Sequence, residues 1–286
     1  MLPWLSGAAD PGRVHTEGRI ARAAVETARE QVAALVGCRP REVVFTSGAT
    51  ESVTAAVWGA TERGSHIVSS PVEHSAVREA SARWEVTEVG VDHLGRVDPT
   101  EVAAAVRPGA TALVHIQLGN HEVATMQPAA DVVVECHASG VLVHVDGAAA
   151  VGHVPVDFGV LGADLLSVSA HKFGGPQGTG ALIVRRGLRL RPLFVGGAQE
   201  RSRRAGMENV AGIVGFGAAA AAVDVARESG RARTQTDRAL AGALAVEGVV
   251  AYGDVEHRLP HIICIGVGGV EAEAVLLGLD QAGVAA

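Results

Sequence analysis

The chain has 286 residues, of which 48% are hydrophobic and only 3% aromatic, with a formal net charge of −7. This length suffices for one large domain, or for a large and a small one, whose core Val, Ala, Leu and Ile must fill. The 31 acidic against 24 basic residues argue against a nucleic-acid groove, since binding phosphates requires a local basic excess.

The first two thirds of the chain alternate between helix and strand patterns. After an irregular lead-in over 1–16, apolar residues at helical spacing predict a helix over 17–36. Strands are predicted at 43–46, 66–69, 85–89, 112–116, 141–145, 164–168 and 181–184. Helices are predicted near 47–60, 71–77, 98–106 and 127–138. Such alternation is typical of an α/β fold with a mostly parallel sheet and helices on both faces.

After residue 191 the pattern changes. A long alanine-rich helix is predicted over about 207–228 and a second helix over about 231–246. Strands near 249 and at 262–267, with a helix from 270, indicate a small α/β unit. The predicted organisation is therefore a large domain over 17–205, a connecting helix over 206–230 and a partial small domain over 231–286.

The stretch from 167 to 187 carries the most distinctive chemistry. Lys172 follows a predicted strand and precedes a glycine-rich turn over 174–180, in a chain where arginines greatly outnumber lysines. A lysine that loses its proton through burial or a neighbouring cation can form a Schiff base, and Ser169 and His171 could hold an anion beside it. The alternative is an ordinary hairpin with its lysine in water, and this stretch alone leaves the two about level.

Polar clusters follow several of the predicted strands. In a parallel sheet, ligands bind beyond the carboxyl ends of the strands. The cluster Gly48-Ala49-Thr50, at a predicted helix start, suits an anion, although a plain N-cap is the commoner explanation. Chance placement explains any one cluster but not all of them together. The clusters are Gly48-Ala49-Thr50, His74, Asn120-His121, Asp146 and Ser169 with His171-Lys172.

Together these residue types fit pyridoxal 5'-phosphate. The lysine would hold the aldehyde, Asp146 would pair with the protonated ring nitrogen, and His74 could stack on the ring. The helix start, with Ser169 and His171, would hold the phosphate. Two simpler explanations stay open at this point: Asp146 could cap the next helix, and His74 could be a surface histidine.

Five segments resemble the cysteine desulfurase family of class V aminotransferase-like enzymes, in order from about residue 6 to residue 283. They are VVFTSGATES, VEHSAV, NHEVATMQP, VHVDGAAAVGHVPVDF and SVSAHKFGGPQGTGALIVRRG. The resemblance implies a fold-type I pyridoxal phosphate enzyme, a cytoplasmic homodimer, that takes sulfur from L-cysteine or a related amino acid and leaves L-alanine. It also implies a persulfide, a sulfur-acceptor protein, and a place in sulfur metabolism such as iron–sulfur cluster assembly.

The resemblance also implies a role for each residue of the clusters. Lys172 would be the Schiff-base lysine, Asp146 the partner of the ring nitrogen, and His74 a stacking and catalytic histidine. The Asn120-His121 pair stands where the family bonds the ring hydroxyl. The residues implied for the phosphate end are Ala49, Thr50, Ser169 and His171.

Several positions depart from the family pattern. His121 occupies the position of an asparagine, Ala149 that of a glutamine, and Met207 that of a threonine from the partner subunit. The family's N-terminal opening segment and its mobile loop, which carries the catalytic cysteine, have no counterpart here, so the chain is expected to be shortened at both ends. The alternatives are another class V lyase or aminotransferase, or a non-catalytic truncated relative.

The remaining motifs point elsewhere only weakly. Cys38, Cys136 and Cys264 form no CxxC pair, which favours a reducing cytoplasm, and none is an obvious replacement for the missing nucleophile. No signal peptide or membrane span is predicted. Gly266 to Gly269 lacks the last glycine of a dinucleotide fingerprint, and the scattered histidines predict no metal site.

Overall fold

The computed structural model describes residues 1–5 and 10–285. Its strands are short and lie close to their predicted positions. They are β1 (Val43–Thr46), β2 (His66–Ser69), β3 (Glu85–Glu88), β4 (Thr111–Gln117), β5 (Leu142–Asp146), β6 (Leu165–Ser169), β7 (Gly180–Val184), β8 (Val249–Tyr252) and β9 (Cys264–Val267).

The helices alternate with the strands through most of the chain. They are α1 (Leu2–Leu5), α2 (Thr16–Leu35), α3 (Ala49–Ala60), α4 (Ser75–Ser81), α5 (Pro99–Ala104), α6 (Ala129–His137), α7 (Phe158–Leu161), α8 (Val210–Ala222), α9 (Val225–Leu244) and α10 (Ala272–Gln281). A short 3-10 turn, Ala170–Phe173, follows β6 and contains Lys172.

Seven strands form one sheet in the order β1-β7-β6-β5-β4-β2-β3. The pairs β2–β3, β2–β4, β4–β5 and β5–β6 are parallel, and only β7 runs antiparallel to its two neighbours. The predicted mostly parallel sheet is therefore confirmed. The carboxyl ends of β1, β2, β4, β5 and β6 meet at one edge, where the polar clusters begin.

Both faces of the sheet are buried, which explains the nearly continuous apolar strands. Successive residues alternate between faces, so Leu113 and Leu142 pack towards α3, whereas Val114 and Val143 pack towards α2 and α8. Phe216 of α8 is fully buried on the second face. Helices on both faces thus hold the central strands, and with them the residues at their carboxyl ends, in a close-packed core.

Two predicted segments differ from the structure. The lead-in, predicted to be irregular, contains the short helix α1, while its residues 6–9 lie outside the described part of the chain. The predicted helix over 207–228 is instead two helices that meet at 223–224. The break falls there because the Asp224 side chain accepts a hydrogen bond from the Arg227 N–H at 3.1 Å and so begins α9.

The chain after residue 224 is far less buried than the large sheet. α9 and α10 have no buried residues, and β8 and β9 form a separate two-stranded antiparallel sheet. Within residues 1–5 and 10–285, no single helix is long and apolar enough to cross a membrane. The bent pair of α8 and α9, at 76°, passes that test by length and composition only.

Candidate active site

A cavity of about 520 Å³ opens at the carboxyl ends of the central strands. The polar clusters of four strand ends and the starts of α3 and α4 contribute to its walls. Of the residues singled out from the sequence, those that line it are Ala49, Thr50, His74, His121, Asp146, Ser169, His171 and Lys172. The fold therefore brings together side chains that are more than 100 residues apart in the chain.

The start of α3 forms one wall of the cavity. Gly48 is its N-cap and offers no side chain, so no side-chain oxygen caps this helix start. Gly48 has a φ of 152°, and a Cβ on Gly180 would lie 2.6 Å from the Gly48 Cα, so both positions require glycine. Uncapped N–H groups at a helix start, together with the helix dipole, favour an anion.

Ser169 and His171, at the end of β6, line the same cavity as this helix start. The Ser169 hydroxyl and the His171 Nδ1 are 3.0 Å apart and share a hydrogen bond. Ser169 is buried, whereas His171 is exposed along one side. The pair adds a hydroxyl and an imidazole to the same wall, which suits an anionic group.

Asp146, the last residue of β5, lies on the cavity floor beside Gln117 of β4. Its Oδ1 accepts the Ala148 N–H at 2.9 Å. Burial raises the pKa of the Asp146 carboxyl above its ordinary value, although the Ala148 bond and the charges of His74 and Lys172 act in the opposite direction. A cation placed against this carboxyl would therefore be strongly favoured.

Lys172 is the only lysine in the sequence. It lies in the 3-10 turn after β6 and lines the same cavity as Asp146, and none of the ion pairs between described residues involves it. Lys172 is exposed in the isolated chain. The 3-10 turn ends the strand before the lysine can enter the core.

His74 and His121 form an edge-to-face pair with ring centroids 4.8 Å apart. The His74 Nδ1 accepts the Ala76 N–H at 3.0 Å, so neutral His74 carries its proton on Nε2, and this is the nitrogen left for the cavity. Burial, with the charges of His74 and Lys172, lowers the pKa of His121. The His74 ring and a His121 ring that favours its neutral form therefore line the same cavity as Lys172.

The sequence and the fold both have known relatives. The family model described as "Aminotransferase class-V" matches residues 5–286. The chain belongs to the class V aminotransferase family. A cysteine desulfurase IscS of Dictyoglomus turgidum is 39% identical over 287 residues, covering 96% of this chain and 73% of that protein.

Solved structures of class V enzymes share the fold. A NifS-like protein superposes with a TM-score of 0.90 at 33% identity, covering 97% of this chain and 79% of that one. A structure described as SspA in complex with cysteine gives a TM-score of 0.85 at 28% identity, covering 98% and 81%. The fold is thus that of the fold-type I pyridoxal phosphate enzymes, and its relatives are cysteine desulfurases.

Enzymes of the class V family depend on pyridoxal phosphate, and the cavity suits that group. It offers a buried carboxyl for a cationic ring nitrogen, an amine for the aldehyde, and uncapped N–H groups for a phosphate. Ala148 and Ala149 line the cavity next to Asp146 and leave space for a flat ring.

Asn120 and His121 are adjacent in the chain, but only His121 lines the cavity. Asn120 is buried, and its Oδ1 accepts the N–H groups of Glu122 and Val123 at 2.8 and 2.7 Å, while its amide donates to the Val72 carbonyl. Asn120 thus shapes the loop after β4 and does not line the cavity. Of the two residues, His121 alone lies where it could meet a ligand.

Glu73 is a buried carboxylic acid next to the site, and the sequence reasoning missed it. It is buried, its Oε1 accepts the Gln117 N–H at 2.9 Å, and its Oε2 has no partner among the described residues. Burial raises the pKa of Glu73 to about 8, and the nearby Asp146 adds to this. Its place directly before His74, in the polar cluster after β2, was the signal available in the sequence.

We expect Glu73→Gln to flatten the pH dependence of stability in the cofactor-free protein. Between pH 4.5 and about 8, Glu73 is protonated in the fold and ionised in the unfolded chain. The folded state then binds more protons, so stability falls as pH rises, by at most about 1.4 kcal/mol per pH unit. Glutamine does not titrate, so the contribution of Glu73 to the pH dependence of stability disappears.

The measurement is urea unfolding at pH 5 and pH 8, with Glu79→Gln on the exposed side of α4 as the matched control. The control should keep the wild-type pH slope. An unchanged slope in Glu73→Gln would mean that Glu73 is already ionised in the folded protein.

The described residues contain no group of three or more His, Cys, Asp or Glu side chains placed to hold a metal ion. Nor does any of the three cysteines line the cavity. Burial raises the pKa of Cys38 to about 12 and that of Cys136 to about 11, and it also raises the pKa of Cys264. All three are therefore poor thiolates at neutral pH.

Proposed function

We propose that this protein is a pyridoxal phosphate enzyme that removes sulfur from L-cysteine, leaving L-alanine, in the cytoplasm. The observation that carries the proposal is the shared cavity of Lys172 and the buried Asp146. The 39% identity to cysteine desulfurases and the cysteine complex of a structural relative support cysteine as the substrate.

Each residue of the cavity has a defined task in this proposal. Lys172 would hold the cofactor aldehyde, and Asp146 would pair with the protonated ring nitrogen. His74 would stack on the ring, and His121 would bond the ring hydroxyl in place of the family asparagine. The N–H groups at Ala49 and Thr50 hold the phosphate together with Ser169 and His171.

When bound, the cofactor supplies an electron sink for the bonds around the substrate Cα. The chain supplies the proton transfers around it. Lys172 would take the proton from the substrate Cα and return it. His74 offers its Nε2–H as a proton donor on the other wall.

Release of the sulfur requires a thiol as co-reactant. A thiolate attacks the cysteine sulfur, the C–S bond breaks, its electron pair remains on carbon and is protonated, and the products are alanine and a persulfide. Because Cys38, Cys136 and Cys264 lie outside the cavity and ionise poorly, we assign this role to a thiol of a sulfur-acceptor protein or of another chain segment.

The position and poor ionisation of the three cysteines favour a second candidate. A class V lyase or aminotransferase that needs no cysteine nucleophile would use the same cofactor residues and would tolerate three unreactive cysteines. The two candidates differ in their products, since only the desulfurase gives alanine together with persulfide sulfur.

The test is the visible spectrum of the purified protein with pyridoxal phosphate, before and after addition of L-cysteine with dithiothreitol as thiol. We expect a visible absorption band from lysine-bound cofactor that changes on addition of cysteine, and equal amounts of alanine and sulfide. A spectral change without sulfide would favour the second candidate. A protein that never takes up the cofactor would be a non-catalytic relative.

A homodimer is part of the proposal. Phe194, Val195 and Met207 are large apolar residues that are 45%, 81% and 60% exposed in one stretch of the chain. Next to them lies a second cavity of about 360 Å³ with an apolar floor and an arginine rim. A second subunit would cover this surface. Sedimentation as a stable monomer would contradict the homodimer.

A further inference from the structure

Two histidines meet where the C-terminal part of the chain touches the turn that carries Lys172. His153 follows β5 in the large sheet, and His261 precedes β9. Their rings are stacked, with centroids 3.6 Å apart and planes at 20°. The His153 ring nitrogen Nε2 lies 2.8 Å from the Lys172 carbonyl oxygen.

The hydrogen bond to the Lys172 carbonyl shows which ring nitrogen of His153 carries a hydrogen. A carbonyl oxygen only accepts, so the His153 Nε2 must carry the hydrogen. Two carbonyls of the 3-10 turn differ in their hydrogen bonds. The Ala170 carbonyl accepts the N–H groups of Gly174 and Gly175. The Lys172 carbonyl accepts from no described residue other than His153. His153 is therefore the residue that holds this peptide group in place.

The stack fixes the ring of His153 in turn. His261 belongs to a segment that is docked on the loop after β4: Leu259 is fully buried there, and the Leu259 N–H bonds to the Ala124 carbonyl at 2.8 Å. Arg96 adds an ion pair to Asp254 of the same segment. The docked segment, residues 254–262, thus presents a rigidly held ring to His153.

We propose that His153 and His261 form a pin that joins the docked segment to the backbone of Lys172, so that His153 and His261 are positioning residues for the lysine. The value of this pin for catalysis rests on the function proposed for Lys172, but its mechanical part does not. With the pin in place, the 3-10 turn has one orientation. The Lys172 Cα is then held in one position, from which the side chain extends towards the cavity.

The His261 ring of the pin favours its neutral form. The His261 Nδ1 is buried without a partner among the described residues, so a proton there would have no acceptor. Burial, with the charges of His153 and Lys172, lowers the pKa of His261 to about 4. Asp224, Arg227 and Glu228, at the start of α9, line a neighbouring cavity together with His153.

Because folding lowers the pKa of His261, acid is expected to destabilise the pin. A histidine whose pKa is lowered by folding contributes stability that is complete above its ordinary value of about 6.5 and is lost as pH falls through about 4. The pin should therefore open in acid.

The test is hydrogen–deuterium exchange of the cofactor-free protein, followed in the peptide that spans residues 170–178. His153→Phe keeps a ring for stacking but removes the donor to the Lys172 carbonyl, and His261→Ala removes the stacked ring. We expect exchange in this peptide to rise at least about fivefold in both variants. His93→Ala, an exposed histidine on the turn after β3, is the matched control and should leave it unchanged.

A second arm uses intact rings. His261→Phe preserves the stack without a titratable group, so at pH 4 it should keep the protection that the wild type loses, after correction for intrinsic exchange rates. This arm decides the question even if His261→Ala fails to fold. Unchanged exchange in His153→Phe, or equal acid sensitivity of wild type and His261→Phe, would overturn the pin.

The catalytic consequence has its own measurement. The affinity of the His153→Phe variant for pyridoxal phosphate should fall about tenfold, while its midpoint of thermal unfolding stays close to that of His93→Ala. If the wild type binds the cofactor but the exchange results show no pin, this inference fails and the proposed function stands. If the exchange shows the pin but the wild type takes up no cofactor, the proposed function fails instead.

Discussion

Lys172→Ala is expected to abolish the visible cofactor band and to reduce cysteine-dependent alanine formation by at least about 10³-fold. Lys172 is the only lysine in the sequence, so no neighbouring amine can replace it. The change removes an exposed side chain that makes no ion pair among the described residues, so the fold should remain intact. Visible absorption, titrated with pyridoxal phosphate, measures the effect.

Lys172→Arg is the matched control, because it keeps the positive charge but its guanidinium stays protonated and cannot condense with an aldehyde. It should behave like the alanine variant in the spectrum while retaining weak, non-covalent binding of the cofactor. A band of wild-type position and strength in either variant would show that the cofactor is bound elsewhere.

The largest expected effect on stability comes from the pair Arg29–Glu200. Both side chains are buried, and two hydrogen bonds of 2.7 Å join them in a bidentate arrangement. The same carboxylate accepts the Phe45 N–H at 2.9 Å, and Arg29 also donates to the Val43 carbonyl. The pair therefore ties α2 and β1 to the turn Gln199–Ser202.

Glu200→Gln should lower the free energy of unfolding by about 3–5 kcal/mol, since it leaves the Arg29 charge buried without its counter-ion. The double variant Arg29→Leu/Glu200→Leu should be less destabilised than the single one, because neither charge is left behind. Urea unfolding at pH 7 measures both.

Arg107→Ala is the control for this pair. It breaks an ion pair with Glu85 whose two side chains are 49% and 60% exposed, and it should cost no more than about 1 kcal/mol. A similar loss of stability in Glu200→Gln and Arg107→Ala would mean that the burial of the Arg29–Glu200 pair contributes nothing.

The turn held by Glu200 also explains part of what the sequence could not reveal. Glu200, Arg201 and Ser202 all have positive φ, between 45° and 62°, which non-glycine residues rarely adopt. No propensity predicts such a run. The bond network from Arg29, which lies 171 residues earlier in the chain, imposes it.

The elements that were predictable share a local cause. Each strand of the large sheet is a short apolar run bounded by polar residues, and each lies within about two residues of its predicted position. The site was predictable for a related reason, since parallel strands deliver their carboxyl-terminal residues to one edge. Asp146 and Lys172 share a cavity because β5 and β6 are neighbours.

The remaining features depend on contacts that are distant in sequence. Whether Asn120 or His121 lines the cavity depends on which side chain the loop after β4 uses for its own N–H groups. The exposure of Lys172 follows from the 3-10 turn, and the stack of His153 on His261 follows from the docking of residues 254–262. None of these leaves a periodic pattern in the sequence.

Reductive trapping tests the central claim most directly. The wild-type protein is incubated with pyridoxal phosphate, reduced with borohydride, digested, and mapped by mass spectrometry. Because the chain has one lysine, we expect one modified side chain, Lys172, and protection of that site by L-cysteine. A pyridoxyl group found only on the N-terminal amine, or on no residue at all, would contradict it.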